Sequence, residues 1–111
     1  MEAPHRDDIK AIDAPVRFCL FIAGESARSQ RALENLDRIF KTSPETRFEL
    51  EVIDVIASPE RAEEERILAT PTLIKDFPPP RRRVTGDLSD AEKVLRVLGP
   101  LGGALSPEDR S

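Results

Sequence analysis

Few side chains in this 111-residue chain have the means to do covalent or metal chemistry. They are one cysteine (Cys19), one histidine (His5), a Ser-x-x-Ser pair (Ser26, Ser29) and an acidic run from Glu60 through Glu63-Glu64-Glu65. Thiol redox work needs two cysteines, or one thiolate at a helix N-terminus or beside a cation. Cys19 instead lies inside the apolar run Val16-Arg17-Phe18-Cys19-Leu20-Phe21-Ile22 and reads as a small buried residue. A single cysteine also excludes an intrachain disulfide and a cysteine-based zinc site. His5 falls in a polar, mixed-charge N-terminal stretch, far along the chain from any nucleophile it would serve. Serine hydroxyls are too weakly acidic to replace thiols in dithiol exchange. Consecutive glutamates on a helix point in different directions and do not converge on a cation. Gly24 is one isolated glycine and makes no phosphate-binding loop. By elimination the chain is a binding module without catalytic residues, cofactor or metal. Its candidate surface is the charged, exposed material, and basic residues cluster locally at Arg81-Arg82-Arg83.

Composition narrows this further. The length fits one domain, able to bury roughly two-thirds of its unfolded surface. With 39% hydrophobic and 34% charged residues it has the balance of a globular protein with a polar surface. The net charge of −4 argues against general nucleic-acid binding, which depends on neutralising phosphates. No apolar run approaches the ~20 residues of a membrane span. Residues 1–14 contain no apolar core of a signal peptide, so the expected location is cytoplasmic.

The elements that must position the charged side chains follow from the hydrophobic pattern. Residues 1–14 are expected to form a flexible leader, 15–99 the folded domain and 100–111 a disordered tail. Val16–Ile22 is a nearly continuous apolar run, the signature of a strand covered on both faces. Ser26 or Ser29 caps a helix whose Ala32, Leu33, Leu36, Ile39 and Phe40 form one stripe. Phe48, Leu50 and Val52 alternate with glutamates and lead into Ile53-Asp54-Val55-Ile56, a second strand. Ser58-Pro59-Glu60 starts a thin-faced helix through Leu68, with Ala62, Ile67 and Leu68 inward. Thr72–Phe77 and Arg82–Thr85 read as strands around Pro78-Pro79-Pro80, which can enter neither a helix nor a central strand. Ser89-Asp90-Ala91-Glu92 reads as a capping box with Ser89 at the cap. It opens a last helix with Ala91, Val94, Leu95 and Leu98 inward, stopped by Gly99-Pro100. The order βαβαββα is that of an α/β, thioredoxin-like domain. Such folds carry a cis proline where Thr70-Pro71-Thr72 stands, and Cys-x-x-Cys where this chain has Ser26 and Ser29. The dense X-Pro bonds of the second half make it a candidate slow conformational switch.

The residues closely resemble the KaiB family of clock proteins. The matching pieces are Phe21-Ile22-Ala23-Gly24, Ser29-x-Arg31-Ala32-Leu33, Val52-Ile53-Asp54-Val55 and Pro59-x-x-Ala62-Glu63-Glu64. They continue with Ile67-Leu68-Ala69-Thr70-Pro71-Thr72-Leu73, Lys75, Pro78-Pro79-Pro80, Arg82-Arg83, Gly86-Asp87-Leu88-Ser89 and Glu92-Lys93-Val94-Leu95. The resemblance implies a non-enzymatic regulator that binds the N-terminal ATPase ring of a KaiC-type ATPase. It would modulate that enzyme's phosphorylation and ATPase cycle in a clock, timing or stress system. Other clock proteins or a histidine kinase are further implied partners, and a sensory module coupled to such a kinase is the alternative reading. It also implies a second arrangement, βαββααβ, as a dimeric or tetrameric ground state. Positions matching the family's basic contact residues are Arg31, Arg66 and Lys75, then Arg82 and Arg83. Pro71, Pro78 and Pro79 match its hinge. Two departures stand out. Glu51 replaces a usually basic residue, and the helix stop at Gly99-Pro100 comes early, which is expected to favour the thioredoxin-like form.

Overall fold

The apolar run Val16–Ile22 becomes β1, the central strand of a four-stranded sheet. The computed structural model describes residues 15–99; the expected leader and tail lie outside the described residues. After β1 come α1 (Ala27–Phe40), β2 (Phe48–Asp54), α2 (Pro59–Glu64), β3 (Thr72–Phe77), β4 (Arg82–Thr85) and α3 (Ala91–Leu98). The sheet order is β2-β1-β3-β4. β1 runs parallel to β2 and antiparallel to β3, and β3 pairs antiparallel with β4. This is the thioredoxin-like βαβαββα arrangement expected from the sequence.

Side chains alternate across a strand, and β1 buries both sets. Val16, Phe18 and Leu20 join Ala32, Leu36 and Ile39 of α1, Leu73, Val84, and Val94 and Leu98 of α3 in one core. Cys19 and Phe21 join Ile53 and Ile74 in a smaller core on the opposite face. Phe40 stacks on Phe48 with ring centroids 4.3 Å apart, tying the end of α1 to the start of β2. Leu50 and Val52 register with Phe18 and Leu20, yet they are 37% and 43% exposed because β2 is an edge strand.

The helix boundaries follow local chemistry. Ser26 caps α1, its hydroxyl accepting from the Ser29 amide at 3.1 Å. The last helix is capped by Asp90 and not by Ser89. Asp90 Oδ1 accepts from the Lys93 amide at 3.1 Å, while the Ser89 amide is already donated to Asp87 Oδ1. Ala91 of that helix is exposed and Leu95 only half-buried. Gly99 ends it at φ 84°, a left-handed conformation that glycine takes without steric cost. The expected helix through Leu68 is shorter. It stops at Glu64, and Arg66 turns the chain at φ 55°. Leu68, expected inward, is therefore thrown outward.

Candidate partner-binding surface

The sheet's parallel and antiparallel pairings bring three loops to one end. They follow β1 (Ala23–Ser26), follow β2 (Val55–Ser58) and precede β3 (Glu65–Pro71). Asp54 fastens the first two. Its Oδ1 accepts from the Gly24 amide and from the Ile56 amide, each at 3.0 Å. Gly24 sits at φ 65°, and a Cβ there would lie 3.6 Å from Ile56 Cδ1, so the isoleucine covers the turn. Ser26 and Ser29 hydroxyls lie 3.0 Å apart at the start of α1. Ser26 caps the helix by accepting from Ser29, and the pair offers no redox couple. Cys19 is 4% exposed, and burial, with Glu51 next, pushes its thiol up to about 11.

Two side chains at this end are exposed against expectation for their type: Leu68 at 96% and Ile56 at 70%. The periodicity puts Leu68 inward because no glycine or proline marks the stop at Arg66. It also runs the second strand through Ile56, whereas β2 ends at Asp54 and Ile56 lies in the turn that the Asp54 carboxylate holds. Pro71 follows in a buried position, and its carbonyl accepts from the Gly86 amide at 2.8 Å. The Thr70–Pro71, Phe77–Pro78 and Pro79–Pro80 bonds are cis.

The five basic positions do not form one patch. Arg66 is exposed on the same loop as Leu68. Arg83 reaches that loop from β4, donating to the carbonyls of Glu65 (2.8 Å) and Arg66 (3.3 Å). Arg83 thus holds the end of α2 in place. Lys75 and Arg82 are cross-strand partners on β3 and β4, on the sheet face that α1 and α3 cover. Lys75 is 4% exposed and meets no carboxylate among the described residues. Burial, and then Arg82, lower its amine below the ordinary lysine value. Arg31 stands apart on α1, its Nε 3.4 Å from Asp87 Oδ2.

Two arginines on the α2 side are paired internally, whereas Glu60, Glu63 and Glu64 are exposed. Arg61 spans both oxygens of Glu51 at 3.2 and 3.4 Å, so the acidic departure at Glu51 has an internal partner. Arg81 bridges Asp76 and Glu65, each at 2.8 Å. Of the Arg81-Arg82-Arg83 run, only Arg82 has no such role among the described residues. No group of three His, Cys, Asp or Glu among the described residues is arranged for a metal ion. No helix there is long and apolar enough to cross a membrane. The arrangement can present cations and isolated apolar knobs to another macromolecule, and it holds no nucleophile–base pair.

Comparison with known proteins agrees with this geometry. A family model described as KaiB domain matches residues 19–100. The chain is 51% identical over 93 residues to circadian clock protein KaiB3 of Synechocystis sp., covering 81% of this chain and 91% of that protein. It is 53% identical over 90 residues to circadian clock oscillator protein KaiB of Synechococcus sp. (strain CC9311), covering 81% and 76%. Among solved structures, the N-terminal domain of Synechococcus elongatus SasA superimposes with a TM-score of 0.64 at 28% identity, covering 76% of this chain and 83% of that one. Mitochondrial thioredoxin 3 of Saccharomyces cerevisiae, at TM-score 0.59 and 18% identity over 83% and 88%, shares the fold. A thioredoxin-like sheet with serines where thiols would act, matched along most of its length by clock proteins, belongs to the KaiB family, whose members are regulators and not enzymes.

Proposed function

We propose that this protein is a cytoplasmic clock-type regulator that binds the N-terminal ATPase ring of a KaiC-type ATPase and modulates its phosphorylation and ATPase cycle. The observation that carries the reading is a set of side chains the fold leaves unspent. Arg82 is exposed on β4 without a carboxylate among the described residues, with its cross-strand neighbour Lys75 buried beneath it. Leu68 is fully exposed two residues from the exposed Arg66. Cations of this kind suit an acidic protein surface, where charge complementarity steers encounter and fixes register. A solvent-exposed leucine is a candidate anchor when a partner's pocket closes over it. Arg31 and Arg83 belong to the same reading through the elements they hold.

We extend the proposal to the second half of the chain. Its only helix before β3 spans six residues and buries none of them. A rearrangement to βαββααβ about Pro71, Pro78 and Pro79, in a dimer or tetramer, requires two packings separated by only a few kcal/mol. The alternative, a sensory module coupled to a histidine kinase, draws on the likeness to a domain that is the N-terminal part of another protein. The test is a titration of the host's KaiC-type ATPase with wild-type protein, Arg66→Glu and Arg82→Glu, both at exposed positions. Each reversal is expected to weaken binding at least tenfold, on the scale of a truncated charge contact, with an unchanged circular dichroism spectrum. Wild-type affinity in both variants removes them from the interface.

A further inference from the structure

Asp87 sits in the turn between β4 and α3 and gathers contacts from two directions. Arg31 Nε approaches its Oδ2 at 3.4 Å, and Asn35 Nδ2 donates to its backbone carbonyl at 2.8 Å. Arg38 donates to Asn35 Oδ1 at 2.7 Å, which fixes the direction in which the Asn35 amide points. The Ser89 amide donates to Asp87 Oδ1 at 3.1 Å. Among the described residues, the bonds to Asp87 are the only side-chain hydrogen bonds that leave α1 for the C-terminal half of the chain. The turn they hold is demanding. Leu88 adopts φ 66°, a region that residues with a Cβ rarely enter, and is 4% exposed within the main core. Local strain of this kind persists only where the surroundings over-determine it.

We infer that Arg31 is a positioning residue. Through Asp87 it clasps the turn that launches α3 onto α1, and it supports partner binding without touching the partner. The inference rests on the reading under Proposed function, where Arg31 matches a basic contact position. It makes a distinction that proximity to a partner cannot. If Arg31 were a contact, Asp87 would compete with the partner's acid, and removing its charge would leave binding unchanged or tighter. If Arg31 acts through Asp87, removing either charge has the same effect.

The experiment uses the full chain as wild type, Arg31→Ala, Arg31→Lys, Asp87→Asn and the double variant Arg31→Ala/Asp87→Asn. Asp87→Asn keeps an acceptor for the Ser89 amide and puts an NH2 group where Oδ2 accepted from Arg31, so the turn keeps its own bond and loses the clasp. Two quantities are read: amide hydrogen exchange across residues 86–90 of the protein alone, and affinity for the ATPase ring of the host's KaiC-type ATPase. Arg31→Ala and Asp87→Asn are each expected to weaken binding about three- to tenfold and to speed exchange in the turn. The double variant is expected to be no worse than either single one, the non-additivity of residues that act as a unit. Arg31→Lys, which keeps the charge, is expected to stay within about twofold of wild type in exchange and affinity. Asp87→Asn binding as tightly as wild type, or more tightly, while Arg31→Ala weakens overturns the inference. Failure of the wild type to bind the ring sinks the functional reading alone. The exchange arm then decides the clasp, because unchanged exchange in Arg31→Ala and Asp87→Asn refutes it.

Discussion

Lys75 shows most plainly what a buried cation costs a small domain. Its side chain is covered in the main core without a carboxylate among the described residues, and its amine is pulled below the ordinary 10.5 by burial and then by Arg82. The unfolded chain holds that proton more tightly, so Lys75 lowers stability at neutral pH. Stability is regained as pH rises through the lowered folded value toward 10.5. Lys75→Met keeps the length of the stem and removes the charge. It is expected to stabilise the domain by about 1 kcal/mol, visible as a higher denaturation midpoint. A lower midpoint contradicts this account of Lys75. Cys19 is the converse case, a residue with chemistry that the fold suppresses. With its thiol at about 11 against an ordinary 9.0, the folded protein holds the proton where the unfolded chain has lost it. This contribution therefore weakens stability as pH rises from about 9 to about 11. Native protein at pH 8 is expected to react with a thiol reagent only as fast as the chain opens. Stoichiometric labelling within seconds would show a reactive, accessible thiolate.

At the scale of elements, legibility followed local signals. β1, β3 and β4 could be read because an apolar run and a triple proline leave the chain few options. α1 could be read because its apolar stripe and its Ser26 cap agree. The end of α2 could not. It depends on Arg66 entering the left-handed region without a glycine, and on Arg83, seventeen residues away, donating to the freed carbonyls of residues 65 and 66. No local pattern carries that, so the periodicity alone places Leu68 inward. The cap of α3 was missed by one residue for a similar reason. Ser89 and Asp90 are both good caps, and Asp87 takes the Ser89 amide. The same long-range dependence hides the clasp, since nothing near Asp87 in sequence points to Arg31 or Asn35. Arg66→Gly tests the α2 stop. Relieving a left-handed residue with a Cβ is expected to raise stability by roughly 1 kcal/mol and, by removing the cation, to weaken partner binding. A loss of stability would show that the Arg66 side chain holds the turn by contacts of its own.

Taken whole, the molecule is a redox-type scaffold emptied of redox chemistry and supplied with unspent cations. One end of the sheet carries loops fastened by Asp54 and Pro71, with Leu68 and Ile56 exposed. The two sheet edges differ in character. β2 exposes Leu50 and Val52, whereas β4 carries the arginines. The five basic positions named from family resemblance divide by structure into groups that hold elements, Arg31 and Arg83, groups left exposed, Arg66 and Arg82, and the buried Lys75. That division could not be seen in the sequence, because adjacent arginines in the 81–83 run look alike until the strand sends them to opposite faces. We propose that the exposed cations Arg66 and Arg82 serve an acidic partner surface on a KaiC-type ATPase. The most direct measurement is size-exclusion chromatography of the full chain after long incubation with its host's KaiC-type ATPase, across nucleotide states. The account predicts that the protein moves into the hexamer peak in at least one state; absence from that peak in every state contradicts it.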